Sequence, residues 1–304
     1  MKKIIIIAIA LLCAVSLQAQ GDLHLISVDN KDGKVTAKQI QKMLNADNFV
    51  VDLNSPMNGP FKKQFEQTDF KLFTLMTFHH KTLATELILK YPHAGAITPM
   101  GIGIYQGINE DTLHISMLTS DAQEKILGIK TPIFKKIETQ LLYLFKKNLP
   151  SAKFEISENS LQESRDLVTV YELDLDGEDW EEAKDEFAMN LESSFEPFGF
   201  IVAATQDLTF LDDEKIEEVY DFYDTYSICK LKVIYTVAKS RPEASAFAPC
   251  TTMVYKKKDE DKIVVGFPAV YNWLSSAKIK DKASEDALIK AQNDFESILK
   301  DITE

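Results

Sequence analysis

Residues 246–265, AFAPCTTMVYKKKDEDKIVV, repeat the plan of an earlier stretch of the chain, residues 96–116. Both stretches place a proline before an apolar segment that contains a tyrosine, and both pass through an acidic turn into a second apolar segment. They align without a gap, with matching residues 150 positions apart: Pro92 and Pro242, Ala96 and Ala246, Pro99 and Pro249, Tyr105 and Tyr255, Glu110 and Glu260, Asp111 and Asp261. Hydrophobic periodicity alone does not match prolines, a tyrosine and turn acids, so the alignment predicts an internal duplication.

The duplication divides the chain into four parts. We assign residues 1–19 to a signal peptide, 21–148 to a first copy, 149–167 to a polar linker and 168–304 to a second copy. A chain of 304 residues with 45% hydrophobic content is long enough for each copy to bury a core of its own.

The first residues have the three parts of a secretory signal. Lys2 and Lys3 precede an apolar run at residues 4–15, and the small residues around Ala19 suit a cleavage site. The apolar run is too short to stay behind as a membrane span. We therefore expect a periplasmic or secreted protein with no integral membrane segment after cleavage.

The chain is acidic. It has 47 acidic against 34 basic residues, a formal net charge of −13, and loss of Lys2 and Lys3 makes the mature protein more acidic still. Such a surface repels phosphate backbones and anionic lipid headgroups. The one basic run, residues 256–258, is followed directly by three acidic residues that offset it. We therefore expect no nucleic-acid partner, and a small ligand or another protein, of unknown identity, as the partner.

The hydrophobic pattern predicts the same order of elements in each copy: strand, helix, strand, short helix, strand, helix, hairpin and long helix. Residues 231–238, LKVIYTVA, favour a strand by propensity, but their counterpart at 81–90, KTLATELILK, has helical spacing. We therefore predict a helix in both copies. The expected fold class is α+β, a tandem duplication of a mainly antiparallel sheet with helices packed on one face.

Two cysteines, Cys229 and Cys250, remain after removal of the signal, and they align with His79 and Met100 of the first copy. An even number of cysteines in an oxidising compartment permits a disulfide. Cys229 is also predicted to stand just before a helix, whose N-terminus would lower the thiol pKa and favour a reactive thiolate. A structural disulfide, two inert buried thiols, a redox-active pair and a metal or small-ligand site are therefore all open.

The first copy contains all five histidines. His79 and His80, together with Met100, offer imidazole and thioether groups that suit copper or another soft cation. Alternatively, Met100 packs in the core and an exposed His80 caps the helix that follows it. A cysteine-histidine enzyme would need a site shared between the two copies.

The second copy resembles DUF302, a family of domains of unknown function. The resemblance rests on Cys229 before a helix, on Pro242, and on the order Phe247, Ala248, Pro249, Cys250, then Val254 and Tyr255 leading into a charged hairpin. The first copy resembles the family only through its alignment to the second, and it departs from the pattern at both cysteine positions. The resemblance implies an α+β fold rich in β-α-β order and no established activity, and it leaves any cofactor unknown.

These observations favour an exported, two-domain, non-catalytic binding or interaction protein whose ligand is unknown. One alternative is a thiol-redox or sulfur-handling protein that works through Cys229 and Cys250. Another is soft-metal binding by the first copy through His79 and Met100.

Overall fold

The structure, a computed structural model, describes residues 21–162, 166–211 and 213–304. The predicted signal peptide, residues 1–19, lies outside the described residues. Two antiparallel sheets with helices between and beside their strands make up the described part of the chain, which confirms the predicted α+β class. Among the described residues, no helix is both long and apolar enough to cross a bilayer.

The first half of the chain builds one of the two sheets. Its elements are β1 (Leu23–Asp29), α1 (Ala37–Asn45), β2 (Phe49–Pro56), α2 (Asn58–Phe65), β3 (Phe70–His80), α3 (Leu83–Lys90), β4 (Met100–Gly107), β5 (Thr112–Leu118), α4 (Ser120–Leu127), α5 (Pro132–Asn148) and β6 (Lys153–Ile156).

The second half builds the other sheet. Its elements are β7 (Val168–Asp174), α6 (Trp180–Phe195), β8 (Ile201–Asp207), α7 (Asp213–Glu217), β9 (Tyr220–Cys229), α8 (Leu231–Ala238), β10 (Cys250–Lys257), β11 (Lys262–Pro268), α9 (Tyr271–Ser276) and α10 (Lys282–Thr303).

The two sheets follow the same strand order. The first sheet runs β2-β3-β4-β5-β1, with β6 added beside β1, and the second runs β8-β9-β10-β11-β7. The register also corresponds, because Phe78 lies opposite Met100 in the first sheet and Ile228 lies opposite Cys250 in the second. Both members of the first pair stand 150 positions before those of the second.

Two features of the fold differ from the sequence predictions. Residues 153–156, assigned to a polar linker, form β6 and pair with β1, where Phe154 lies opposite Ile26. Each half also contains a short helix after its hairpin, α4 and α9, that the periodicity did not predict. Both helices have eight residues or fewer, which is too short to show a clear helical period.

The segment LKVIYTVA is helical, as predicted from its counterpart. Residues Leu231–Ala238 form α8 and the matching Leu83–Lys90 form α3. Helix α8 is buried on most of its surface, and its Tyr235 ring stacks on Phe65 of the first half at 4.6 Å between centroids. Packing on several sides therefore outweighs the strand propensity of its β-branched residues.

Each sheet has one face toward long helices and one face toward the other half. In β9, Phe222 stacks on Trp180 of α6, while the next residue, Tyr223, hydrogen-bonds the backbone of the first half. Successive strand residues point to opposite faces, so this neighbouring pair marks the two sides. Helix α2 is an exception, because its Phe61 contacts both Phe73 of β3 and Tyr235 of the second half.

The two halves meet along a seam that we define by two 3₁₀ segments, Pro92–Ile97 and Pro242–Phe247, each packed on the sheet of the other half. Thr251 donates to the carbonyl of Pro99 at 3.3 Å across it. The bonds Thr98-Pro99 and Ala248-Pro249 are both cis. Buried apolar residues form one cluster through both halves, rather than the two separate cores expected from the sequence.

Candidate functional site

The two cysteines lie where β9 ends and β10 begins. Cys229 is the last residue of β9 and Cys250 is the first of β10. Both thiols are free, so the structure does not contain the disulfide that was one of the open alternatives. The strand register gives the reason: Cys250 lies opposite Ile228, and the two cysteines are not a directly opposed pair.

Burial keeps both thiols protonated at neutral pH. Burial raises the pKa of Cys229, and the neighbouring Cys250 raises it further. Burial likewise raises the pKa of Cys250 to about 12. The expected thiolate at Cys229 is therefore wrong, because loss of water around the sulfur outweighs the N-terminus of α8. The adjacent cation, Lys230, is directed at Asp294, with 2.7 Å between Nζ and the carboxylate.

Both cysteines line a recess between the second sheet and helices α8 and α10, which we call the thiol cavity. The recess has a cavity volume of about 40 Å³. Its other walls are largely apolar, with Phe200, Val233, Phe267, Trp273, Leu288 and Phe295 among them.

A second recess occupies the equivalent place in the first half. We call it the seam cavity because both halves line it, and its volume is about 40 Å³. Its first-half walls include Phe78, Met100, Met117, Gln123, Glu138 and Leu141. These six stand 150 positions before Ile228, Cys250, Phe267, Trp273, Leu288 and Ala291 of the thiol cavity. The fold therefore provides one cavity per half at the same position.

Glu138 is the one ionised carboxylate in the wall of the seam cavity. Burial by itself would raise its pKa, but hydrogen bonds from His24, Lys135 and the backbone amide of Ser120 outweigh burial and lower the pKa to about 2. The distance from Glu138 Oε1 to His24 Nε2 is 2.8 Å and to the Ser120 nitrogen 2.9 Å. Because its oxygens already accept these bonds, Glu138 is a structural charge.

His79 takes part in a different arrangement from the one predicted. Its Nδ1 lies 2.9 Å from each carboxylate oxygen of Asp52, and it does not line the seam cavity. Asp52 is the extra residue of a β-bulge in β2, and Ala203 holds the corresponding bulge position in β8.

His80 caps a helix, which was one of the two predicted roles for it. Its Nδ1 accepts from the backbone amides of Thr82 and Leu83 at 3.3 and 3.2 Å, at the start of α3. Its Nε2 donates to Gln140 Oε1 at 3.1 Å. The side chain is buried rather than exposed as expected, and burial lowers its pKa despite the hydrogen bond to Gln140.

The structure separates the three residues predicted as soft-metal ligands. Met100 lines the seam cavity, His79 pairs with Asp52, and both ring nitrogens of His80 are engaged. Within the described ranges, no group of three or more histidine, cysteine, aspartate or glutamate side chains is arranged to hold a metal ion.

Several site residues were missed by the sequence analysis. Glu138 follows Ile137 and precedes Leu141 on the apolar side of α5, so a charge within an apolar stripe was an available signal. Gln123 and Trp273 lie on or beside the short helices α4 and α9, which the periodicity did not predict. Asp52 depends on a bulge, which no local pattern in β2 indicates.

These features define an α+β protein with two halves of the same strand order and a narrow cavity in each. The sequence model of the family DUF302, described as a domain of unknown function, matches residues 180–302. Among solved structures, the chain is similar to an uncharacterised conserved DUF302 protein from Bacillus stearothermophilus, with 19% identity and a TM-score of 0.34. That similarity covers 44% of this chain and 98% of the other. No curated protein matches the chain.

Proposed function

We propose that this is an exported, periplasmic or secreted, non-catalytic binding protein that holds a small apolar molecule in the thiol cavity. The observation that carries the proposal is the cavity itself, which recurs at equivalent positions in both halves. A void between core side chains costs packing energy, so its presence twice in one architecture supports a use for it.

The walls of the thiol cavity favour an apolar ligand. Cys229 and Cys250 are neutral there and behave as small apolar groups. The ammonium group of Lys230 is held by Asp294 and lies over the Phe200 ring at 4.7 Å, so it is not free for an anion. Binding would bury apolar ligand surface against aromatic and aliphatic side chains, the usual source of affinity in such pockets.

We also propose that the first half is a degenerate second copy of the DUF302 domain. Support comes from the shared strand order, the corresponding registers, and matched residues spaced 150 positions apart. Export is supported by Lys2, Lys3 and the apolar run at residues 4–15. N-terminal sequencing of the protein recovered from the cell envelope or medium tests export, since an intact Met1 contradicts it.

Toluene, a flat molecule without a hydrogen-bond donor, is a suitable probe for the thiol cavity. Trp273 lines the cavity, and the only other tryptophan, Trp180, is replaced by phenylalanine so that Trp273 alone reports. We expect a saturable change in Trp273 fluorescence. Ala291→Leu, which introduces the residue found at the equivalent position 141, should fill the cavity and abolish the change.

The matched control is Leu141→Phe, which fills the seam cavity at the same position. It should leave the toluene response of Trp273 intact. A response that is absent, or that persists unchanged in Ala291→Leu, contradicts apolar binding in the thiol cavity.

A thiol-redox function is the second candidate, and one observation favours it: both free sulfurs line the same cavity. Oxidation would join the two thiols in a disulfide, with two electrons and two protons passing to a disulfide or quinone oxidant. The high pKa of each thiol slows that reaction. Mass spectrometry after incubation with oxidised glutathione tests it, since loss of 2 Da supports a redox pair and unchanged mass with two alkylatable thiols contradicts it.

A further inference from the structure

Four strands stand at the edges of the two sheets, and three of them are protected against the addition of a further strand. β2 and β8 each contain a bulge, between Val51 and Leu53 and between Val202 and Ala204. β6 has only four residues. Bulges and short edge strands keep a sheet from pairing with another chain. β7 has seven residues in unbroken register with β11 and contains no proline or lysine, so its edge lacks this protection.

The free edge of β7 presents the backbone groups of every second residue. Just beyond its two ends, Leu167 accepts from the amide of Ala269 and Leu175 donates to the carbonyl of Asp261, so the odd-numbered residues bond to β11. The backbone groups that point away from β11 are those of Val168, Val170, Glu172 and Asp174. Within the described ranges, no other strand pairs with this edge and no residue bonds to these groups.

The first half shows how the same edge accepts a strand. β1 is the equivalent of β7, because Leu23 pairs with Leu118 and Val168 pairs with Pro268, 150 positions after Leu118. β6 runs antiparallel along the outer edge of β1. The carbonyl of Leu23 accepts from the amide of Ser157, the residue that follows β6, at 2.8 Å. An antiparallel strand therefore fits the equivalent edge of β7.

The charge at the centre of this edge favours a basic strand. In the first half, Lys153 of β6 lies opposite Ser27, and the position on β7 equivalent to Ser27 is Glu172. Glu172 is exposed, and Lys262 contacts only one of its carboxylate oxygens, Oε1, at 2.7 Å. A strand that follows the pattern of β6 would place its own cation opposite Glu172, an attractive cross-strand pair.

The helix beside the edge has the opposite charge in the two halves. In the first half, Lys146 of α5 lies over the Phe154 ring of β6, at 5.5 Å from the centroid. The equivalent position of α10, 150 residues later, is Glu296. Burial raises the pKa of Tyr171 on β7, and the charge of Glu296 raises it further. The surroundings of β7 are therefore acidic where those of β1 are basic.

We propose that the edge of β7 binds an extended, basic segment of a partner protein, which adds to the second sheet as an antiparallel strand. The segment places a lysine or arginine opposite Glu172 and an apolar side chain opposite Tyr171, as β6 places Phe154 opposite Ile26, the equivalent of Tyr171. Backbone hydrogen bonds supply affinity in this mode of recognition, and the alternate side chains supply specificity. A second copy of this chain would bring two acidic edges together, which opposes its pairing there.

The probe is an acetylated and amidated peptide, SAKFKIS, which is residues 151–157 with Glu155→Lys. Hydrogen exchange of the full chain, followed by NMR, gives the position of the peptide. The peptide should slow exchange at the outward amides of Val168, Val170 and Glu172. The amide of Tyr171, which already bonds to β11, should exchange at an unchanged rate.

Charge reversal tests the pairing with Glu172. The acidic peptide, residues 151–157 with Lys153→Glu, should bind about fivefold more weakly than the basic one, the effect of a surface ion pair. Glu172→Lys should invert this order. Glu192→Lys, the same charge change at an exposed position of α6, is the matched control and should preserve the order. Val170→Pro removes an outward donor, keeps the bonds to β11, and should abolish binding of the basic peptide.

The proposal is overturned if the basic peptide leaves the outward amides of β7 unprotected, or if the basic and acidic peptides bind equally. Sedimentation of the full chain is a second measurement. A monomer is the expected result, whereas a dimer that Val170→Pro dissociates would show that a second copy occupies the edge and would also overturn the proposal.

Discussion

The hydroxyl of Tyr223, in the second half, accepts a hydrogen bond from the backbone amide of Gly95, in the first half, at 3.1 Å. It also donates to the carbonyl of Pro92. A Cβ at position 95 would lie 2.3 Å from this hydroxyl, so only glycine permits the contact. The equivalent of Tyr223 in the first half is Phe73, which has no hydroxyl, and the seam is therefore not symmetric.

The Tyr223→Phe variant should weaken the seam. It leaves the buried amide of Gly95 without an acceptor and the carbonyl of Pro92 without a donor, which we expect to cost about 1–3 kcal/mol in the free energy of unfolding. Chemical denaturation of the full chain measures the loss. Tyr143→Phe is the control, because Tyr143 is 66% exposed and should change stability little. Equal stability of the two variants contradicts a role for the Tyr223 hydroxyl.

Gly103 and Ser245 form a second contact of the seam, in which the sheet of the first half meets the 3₁₀ segment of the second half. A Cβ at Gly103 would lie 1.8 Å from Ser245 Oγ and 2.6 Å from Ser245 Cβ. Gly103→Ala should therefore destabilise the protein by about 1–3 kcal/mol through overpacking. Ser245→Gly removes the two closest atoms and leaves Ser116 Oγ at 2.8 Å, so the double variant should recover part of the loss.

A double-mutant cycle on Gly103 and Ser245 quantifies this contact. We expect a coupling energy of about 0.5–3 kcal/mol, with the double variant more stable than the sum of the two single losses would give. Additive effects of the two substitutions would show that the two halves do not pack on each other at this point.

Much of the fold was predictable because two aligned copies constrain each other. The helix at Leu231–Ala238 is an example, since propensity favoured a strand and only the spacing of Leu83, Leu87 and Ile88 indicated a helix. The hairpin in each copy followed from matched prolines and turn acids. What the alignment could not supply was the packing between the halves, which produces one continuous core.

The candidate site was predictable only in part. Cys229, Cys250 and Met100 do line equivalent cavities, as expected for aligned positions. The disulfide was not predictable from cysteine number, because strand register decides whether two thiols oppose each other. Gln123 was missed because only the folded structure shows that its Oε1 is buried without a hydrogen-bond partner.

Glu138 makes the free energy of unfolding depend on pH in the acid range. Its folded pKa, about 2, is below the ordinary value of 4.5, so the bonds from His24, Lys135 and Ser120 contribute fully above pH 4.5 and are lost as the pH falls toward 2. Glu138→Gln should lower stability at pH 7 by about 1–3 kcal/mol. The variant's free energy of unfolding should also decrease less than that of the wild type between pH 4.5 and pH 2.

Unfolding by denaturant at stepped pH tests the role of Glu138. Glu155→Gln, an exposed position on β6, is the control and should follow the wild-type curve. A Glu138→Gln curve parallel to wild type across the acid range would show that the acid dependence arises elsewhere.

His80 also contributes stability that is lost as the pH falls, but in a higher pH range than Glu138. Burial lowers its pKa in the folded protein, so folding favours the neutral ring whose Nδ1 accepts from Thr82 and Leu83. That contribution is complete above the unfolded pKa, about 6.5, and is lost as the pH falls through the lower folded pKa. His80→Leu should cost about 1–2 kcal/mol at pH 8, as loss of a helix cap does, and less in acid.

Amide exchange locates the effect of His80. In His80→Leu the amides of Thr82 and Leu83 should exchange faster with solvent at pH 8, because they lose their acceptor. His93→Leu is the matched control: burial also lowers the pKa of His93, but its ring contacts Tyr255 and no helix amide. It should leave exchange at Leu83 unchanged. If both variants speed that exchange equally, the protection of the α3 N-terminus comes from general packing and not from the His80 cap.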